Sequence, residues 1–321
     1  MNAAVKPMRE VADLDPALAG FLAQAAAQGN PPIESLPPTI ARQIYREMAD
    51  GLGLPAPAIG KVEDTVCPGP AGALSLRIYT PHTEGMTTPP PVLLFLHGGG
   101  FVIGDLETHD KVCRTLCHQA GMLVVAVDYR LAPEHPFPAA SDDAEAALRW
   151  VLAHATVLGG DAGRIAVAGD SAGAQLALVA ARRVQATQVR ALGLIYPPAQ
   201  HPDEHSPSYL ENDGKFLTLS VMQWFMESYV GGRPEVLQHP DYALLKSGGF
   251  ETLPATWVGT MGHDPLRDEG EALAQRIASA GVAVTHQHYP SAIHACIHFT
   301  AVSPIGHGVM VDLAQWLRDK V

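Results

Sequence analysis

From about residue 61 onward the chain alternates short apolar, β-branched runs with longer helical patterns, the order expected of a mostly parallel sheet covered by helices on both faces. Eight runs read as strands: 61–67, 73–79, 92–96, 122–127, 164–168, 190–196, 255–260 and 282–288. Helical stretches fall at about 109–119, 140–158, 172–185, 268–280 and 307–319. The fold class is therefore α/β, and the 321 residues suit one large core with accessory segments.

Two regions stand outside the alternation. Residues 1–55 read as two helices, at about 14–28 and 39–50, joined by the proline-rich stretch 30–38. The segment from about 200 to 245 follows the strand that ends at Tyr196, first as a polar, Pro-containing stretch at 200–214 and then as an amphipathic helix at 219–229. Both are expected to build a helical cap. This divides the chain into an N-terminal cap segment, 1–55, and a main α/β domain, 56–321, carrying a cap insertion at about 200–245.

A formal net charge of −12 repels phosphate backbones and anionic membranes, and no basic patch offsets it, so neither nucleic acid nor membrane insertion is expected. The first residues carry Lys6, Arg9, Glu10, Asp13 and Asp15 ahead of a modest apolar stretch, unlike a signal peptide, and no apolar run approaches the ~20 residues that span a bilayer. A cytoplasmic location is the resulting expectation. Four scattered cysteines, Cys67, Cys113, Cys117 and Cys296, are too few for a disulfide framework. Cys113 and Cys117 lie one helical turn apart, but no second ligand pair at zinc-like spacing follows, so they read as thiols on a buried helix face.

Chemistry concentrates in a few motifs. The run from Arg164 to Leu178 is an apolar strand, then Gly169-Asp170-Ser171-Ala172-Gly173, then a helix. Glycines on either side of a sharp strand-to-helix turn remove side chains that would collide, so Ser171 can be held strained with its Oγ exposed. The helix behind it aims its N-terminus and the Ala172 N–H at an oxyanion. Asp170 reads as a support for the loop. The strand 92–96 runs into His97-Gly98-Gly99-Gly100, three glycines that lose much backbone entropy on folding and suit a loop whose amides meet a negative charge. Gly98 and Gly99 are expected to act there beside Ala172, each donor being worth on the order of 3 kcal/mol in a transition state. His97 is expected to brace that loop.

An acid and a base should follow the serine in chain order. Asp264 comes just after the strand 255–260, with Asp268, one turn on, as the competitor that a helix N-terminus explains equally well. His294 follows the last strand 30 residues after Asp264 (294 − 264 = 30), with His298 one turn further as the alternative base.

Together with the run from Asp128 to Pro138, which contains Glu134, and the run from Asp264 to Glu269, these motifs closely resemble the bacterial hormone-sensitive-lipase-like (family IV) esterases over roughly residues 60–319. The resemblance implies an α/β-hydrolase fold with a mostly parallel eight-stranded sheet and a cap built from the two outlying regions. It also implies a serine carboxylesterase acting on short to medium acyl esters, without cofactor or metal, and casts Glu134 as a support for the nucleophile loop. The chain departs from the family pattern at Ala295 and Cys296 after the base, at His298, at Ala174 and at His263. An apolar acyl pocket is expected from Phe216, Leu217, Trp224 and Phe225 in the insertion. The same triad also serves amidases, lactonases and acyltransferases, and a related fold without the base serves as a small-molecule receptor. The partner expected is thus a small ester, with the strand 282–288 free to pair in a homodimer.

Overall fold

A computed structural model describes residues 12–200 and 206–321. The expected cap segments therefore lie partly outside the described residues, at 1–11 and 201–205. One eight-stranded sheet runs in the order β1-β2-β4-β3-β5-β6-β7-β8. Its strands are β1 Lys61–Gly69, β2 Gly72–Thr80, β3 Val92–Leu96, β4 Leu123–Val127, β5 Ile165–Asp170, β6 Val189–Ile195, β7 Ala255–His263 and β8 Val284–Ile293. β1, β2 and β4 pair antiparallel, and every other pairing is parallel. The parallel centre is wholly buried along β3, β4 and β5, as helices on both faces require.

The helices are α1 Pro16–Ala27, α2 Pro38–Leu52, α3 Asp110–Ala120, α4 Ala139–His154, α5 Ala172–Val184, α6 Pro207–Asn212, α7 Leu219–Val230, α8 Arg267–Ser279 and α9 Ile305–Lys320. Local chemistry explains their ends. Asp15 accepts the N–H groups of Ala17 and Leu18, with Pro16 opening α1, and Gly121 closes α3 at φ 65°. Cys113 and Cys117 lie on the buried face of α3, as expected. The helix expected at 14–28 and that expected at 39–50 are α1 and α2, and α7 stands in the insertion.

β8 differs from its sequence reading. It begins at Val284 and runs to Ile293, past Pro290 and right up to His294. A proline ends a central strand because it lacks the donor, but β8 is the sheet edge and pairs only with β7, through a register shift between Met261 and His263. His294 thus follows directly on the strand end.

The turn from β5 to α5 forces its glycines. Ser171 sits at φ 50° and ψ −125°, and a Cβ on Gly173 would lie 2.0 Å from the Leu96 carbonyl oxygen and 2.5 Å from that of His97. One on Gly169 would lie 2.4 Å from the Gly173 backbone. Backbone of β3 cannot retreat without opening the sheet. Gly173→Ala is therefore expected to destabilise the fold by about 3–5 kcal/mol, read as a lowered thermal midpoint and poor soluble yield.

Candidate active site

Three loops meet at the carboxyl end of the parallel strands, where open α/β sheets place their chemistry. β5 delivers Ser171, β7 delivers Asp264 and β8 delivers His294. The Ser171 Oγ lies 3.0 Å from His294 Nε2, and His294 Nδ1 lies 2.7 Å from Asp264 Oδ2. The other oxygen, Asp264 Oδ1, accepts the Leu266 N–H at 2.8 Å. With Asp264 fully buried and so tied, the carboxylate takes Nδ1–H and leaves the Nε2 lone pair facing the serine hydroxyl. The Tyr196 ring packs 4.5 Å from the imidazole and limits its rotation.

The glycine loop is arranged otherwise than expected. Gly98 N–H donates to Asp170 Oδ1 at 2.9 Å, so it is committed to holding the loop and does not face an oxyanion. Gly99 and Gly100, at φ 117° and 59°, carry the amides without a partner among the described residues, as does Ala172. The physical reason is Asp170, whose acceptor the sequence reading had not directed at a particular amide. Gly100 could not be replaced, because a Cβ there would overlap the Phe225 ring at 2.1 Å. His97 braces the loop as expected: its Nδ1–H donates to the Gly98 carbonyl at 2.8 Å and its ring stacks on Tyr129.

Two cavities meet at Ser171. One of about 70 Å³ lies over Gly100, Phe101, Met222, Met226 and Tyr229. The other, of about 200 Å³, lies over Ile33, Tyr45, Met48, Val221 and His294. Leu217 and Phe225 border both, Phe216 borders only the second, and Trp224 borders neither. Trp224 faces away because α7 turns its Phe225 side inward, and its ring rests 5.0 Å from that of Phe225. Ile33, Tyr45 and Met48 went unread as site residues. Their contribution depends on α2, and the single turn at Ile33–Ser35 before it, folding back over the sheet edge, which no local pattern announces.

The remaining candidates separate cleanly. Asp268 accepts the Ser208 N–H at 3.0 Å and pairs with Arg267, away from His294. His298 approaches the Tyr45 hydroxyl at 3.1 Å instead of Ser171. Glu134 is not at the nucleophile loop: it pairs with Arg42 at 2.7 Å and ties α2 to the loop before α4. His263 turns its Nε2 to the Ala12 carbonyl, 2.9 Å away, and its Nδ1 to Lys215. Glu269 is buried beside the smaller cavity, where burial pushes its carboxyl up to about 8, and it accepts the Ala199 N–H and the Tyr209 hydroxyl. It holds the chain leaving β6 against α6.

A family model described as alpha/beta hydrolase fold matches residues 93–298. Esterase LipI of Mycobacterium tuberculosis is 41% identical over 255 residues, covering 76% of this chain and 77% of LipI. Ethyl acetate hydrolase of Pseudomonas putida is 37% identical over 225 residues, covering 69% and 70%. Among solved structures, an alpha/beta hydrolase enzyme from the metagenome of Lake Arreo, Spain, superposes with a TM-score of 0.89 at 37% identity, over 95% of this chain and 98% of that one. A thermostable esterase of Pseudomonas putida ECU1011 superposes with a TM-score of 0.90 at 30% identity, covering 96% and 98%.

Proposed function

Because this chain belongs to the hormone-sensitive-lipase-like esterases of the α/β-hydrolase family and is a serine carboxylic ester hydrolase, we propose that Ser171 is its nucleophile, His294 its base and Asp264 the carboxylate that orients His294. The observation that carries the assignment is the unbroken line of contacts from Ser171 through His294 to Asp264, at 3.0 and 2.7 Å. Ser171 Oγ attacks the ester carbonyl while His294 Nε2 takes its proton. Asp264 stabilises the imidazolium, which then protonates the leaving alcohol. Water repeats the attack on the acyl-enzyme with the same base. The amides of Gly99, Gly100 and Ala172 receive the developing oxyanion, each worth on the order of 3 kcal/mol.

The leaving alcohol has to depart within reach of His294, so the cavity bordered by His294 takes the alcohol and the smaller one, beyond Ser171, takes the acyl group. A small, apolar acyl cavity favours short to medium chains. A fluorophosphonate tests the chemistry: it should label Ser171 alone and stop ester hydrolysis, whereas labelling elsewhere or none would move the nucleophile. The specificity is tested through α7. Phe225→Ala should enlarge the acyl cavity and shift the optimum to longer chains, each added methylene gaining up to about 0.8 kcal/mol, or roughly fourfold in kcat/KM. Trp224→Ala should leave the optimum in place and lower only the thermal midpoint. The opposite ranking across an acyl series would show that Trp224 walls the pocket.

The substrates are small-molecule esters. Among the described residues no helix is long and apolar enough to cross a membrane. The proposed compartment is the cytoplasm, which the four unpaired, buried cysteines suit. The edge position of β8 supports pairing with a second copy, which elution at the monomer mass on a calibrated size-exclusion column would refute. A net charge of −12 argues against nucleic acid as a partner.

A further inference from the structure

The smaller cavity at Ser171 is lined mostly by apolar side chains, yet Gln175, Gln200 and Glu269 give it a polar wall. A hydrocarbon acyl chain has no use for such a wall. We propose that it recognises a hydroxyl group on the acyl chain, which makes short 3-hydroxyacyl esters the preferred substrate class. This rests on the assignment of the smaller cavity to the acyl group.

Gln175 is the central residue. It stands one turn after Ser171 on α5 and is 3% exposed. Its Nε2 donates twice to backbone, to the Asp241 carbonyl at 2.7 Å and to the Tyr242 carbonyl at 3.1 Å. Two carbonyls around one end of the amide fix that end as the nitrogen. Oε1 is therefore the other end, and no donor among the described residues reaches it. An amide oxygen in a buried side chain is costly to leave without a donor, so it calls for a proton from whatever fills the cavity that Gln175 lines.

Gln200 supplies the complement. Glu269 takes the Ala199 N–H on Oε1 and the Tyr209 hydroxyl on Oε2, so both of its oxygens are engaged. Tyr209 gives its only proton to Glu269, and its oxygen accepts from Gln200 Nε2 at 3.2 Å. An amide nitrogen carries two protons, which leaves Gln200 a second to donate. One open acceptor and one donor on a single wall match a hydroxyl, which gives one proton and accepts another. An ammonium would bring three donors to one open acceptor, and a carboxylate would set its charge against the oxygens of Gln175 and Glu269. The reach fits as well. Four residues of helix rise about 6 Å, and helical side chains lean toward the N-terminus, which returns the Gln175 amide toward the serine. A hydroxyl on the third acyl carbon, extended by a hydrogen bond of about 2.8 Å, covers that distance. A cavity of about 70 Å³ keeps the chain short.

The test is hydrolysis of ethyl esters by the wild-type chain, followed by acid release at constant pH. Each enantiomer of ethyl 3-hydroxybutanoate is compared with ethyl 3-methylbutanoate, in which a methyl group replaces the hydroxyl. One hydroxy enantiomer is expected to exceed the methyl isostere by about 10- to 100-fold in kcat/KM, the range that an unpaired buried polar group sets. Gln175→Met keeps the length of the side chain, removes the acceptor and should abolish the preference. A wild-type chain that hydrolyses neither enantiomer better than the isostere would overturn the site, and this result needs no variant, so a Gln175→Met chain that fails to fold leaves the proposal refutable. A preference kept in a folded Gln175→Met chain would overturn it too, as would faster hydrolysis of ethyl 3-aminobutanoate, which would put an ammonium at the wall. Moving the hydroxyl into the alcohol separates this proposal from the reading beneath it. If 3-hydroxybutyl acetate is favoured over 3-methylbutyl acetate, with no gain in the acyl series, the polar wall holds the alcohol and the cavity assignment falls together with the proposal. No gain in either series, with the Phe225→Ala shift in acyl optimum still observed, would overturn the hydroxyl site alone.

Discussion

Ser171→Ala is expected to lower ester hydrolysis by about five to six orders of magnitude and to shift the thermal midpoint little. The loss follows from the geometry. Only Oγ stands at 3.0 Å from the base, and the adjacent amides of Gly99, Gly100 and Ala172 polarise a carbonyl but supply no nucleophile. Stability is spared because the turn is shaped by Gly169, Gly173 and the backbone of Leu96, none of which needs the hydroxyl. Removing it forfeits one contact, to His294, in a fold whose strands and α5 are otherwise untouched. Hydrolysis rates of an activated ester at saturating enzyme, with a midpoint measured in parallel, decide it. A residual rate above about one thousandth of wild type would exceed what an oxyanion hole alone provides and would remove Ser171 from the nucleophile's role.

His294→Ala is expected to match that loss, while His298→Gln retains most of the activity. Two histidines one turn apart in sequence are equivalent to a pattern search, and only their directions separate them. His294 faces Ser171 and Asp264, whereas the His298 ring meets Tyr45 and sits edge-on to His109, 4.6 Å between centroids. A base acts through the proton it can reach, so the contact to Ser171 outweighs any property of the second ring. Losing the Tyr45 contact on a buried side chain is expected to destabilise the fold by about 1–2 kcal/mol, visible in the midpoint and not in kcat at low temperature. Equal collapse of kcat in both variants, with both chains folded, would mean that the catalytic loop depends on His298 and that the path after β8 differs from the one described.

The departures from the family pattern at Ala295 and Cys296 find physical reasons in the local packing. Ala295 follows the base at φ 59°, where glycine is the easier residue, and the turn is held by packing of Cys296 and Ile297 in the core against α9. Gly306 on α9 comes so near that a Cβ would lie 1.9 Å from the Cys296 carbonyl oxygen. Nothing described here explains why Ala174 replaces a glycine beyond its complete burial in α5.

By itself the sequence determined the α/β architecture, the sharp turn at Ser171 and the chain order of Ser171, Asp264 and His294 at the ends of their strands, because these depend on short-range chemistry. A buried parallel strand needs an unbroken apolar run, and a strained serine needs glycines on both sides. Tertiary structure alone decided which groups face the same point. Asp170 took the Gly98 amide and left those of Gly99 and Gly100 without a partner among the described residues, because β5 and the loop after β3 end side by side. β8 ran on to His294 because its proline stood at an edge, where no second neighbour needed its missing donor. Trp224 stands outside both cavities at Ser171, Glu134 turned to Arg42, and Ile33, Tyr45 and Met48 line the larger cavity, since each placement depends on how α2, the turn before it and α7 cross the sheet edge. Spacing along a helix says which residues share a face, and only the packing of that helix against distant chain says what the face meets.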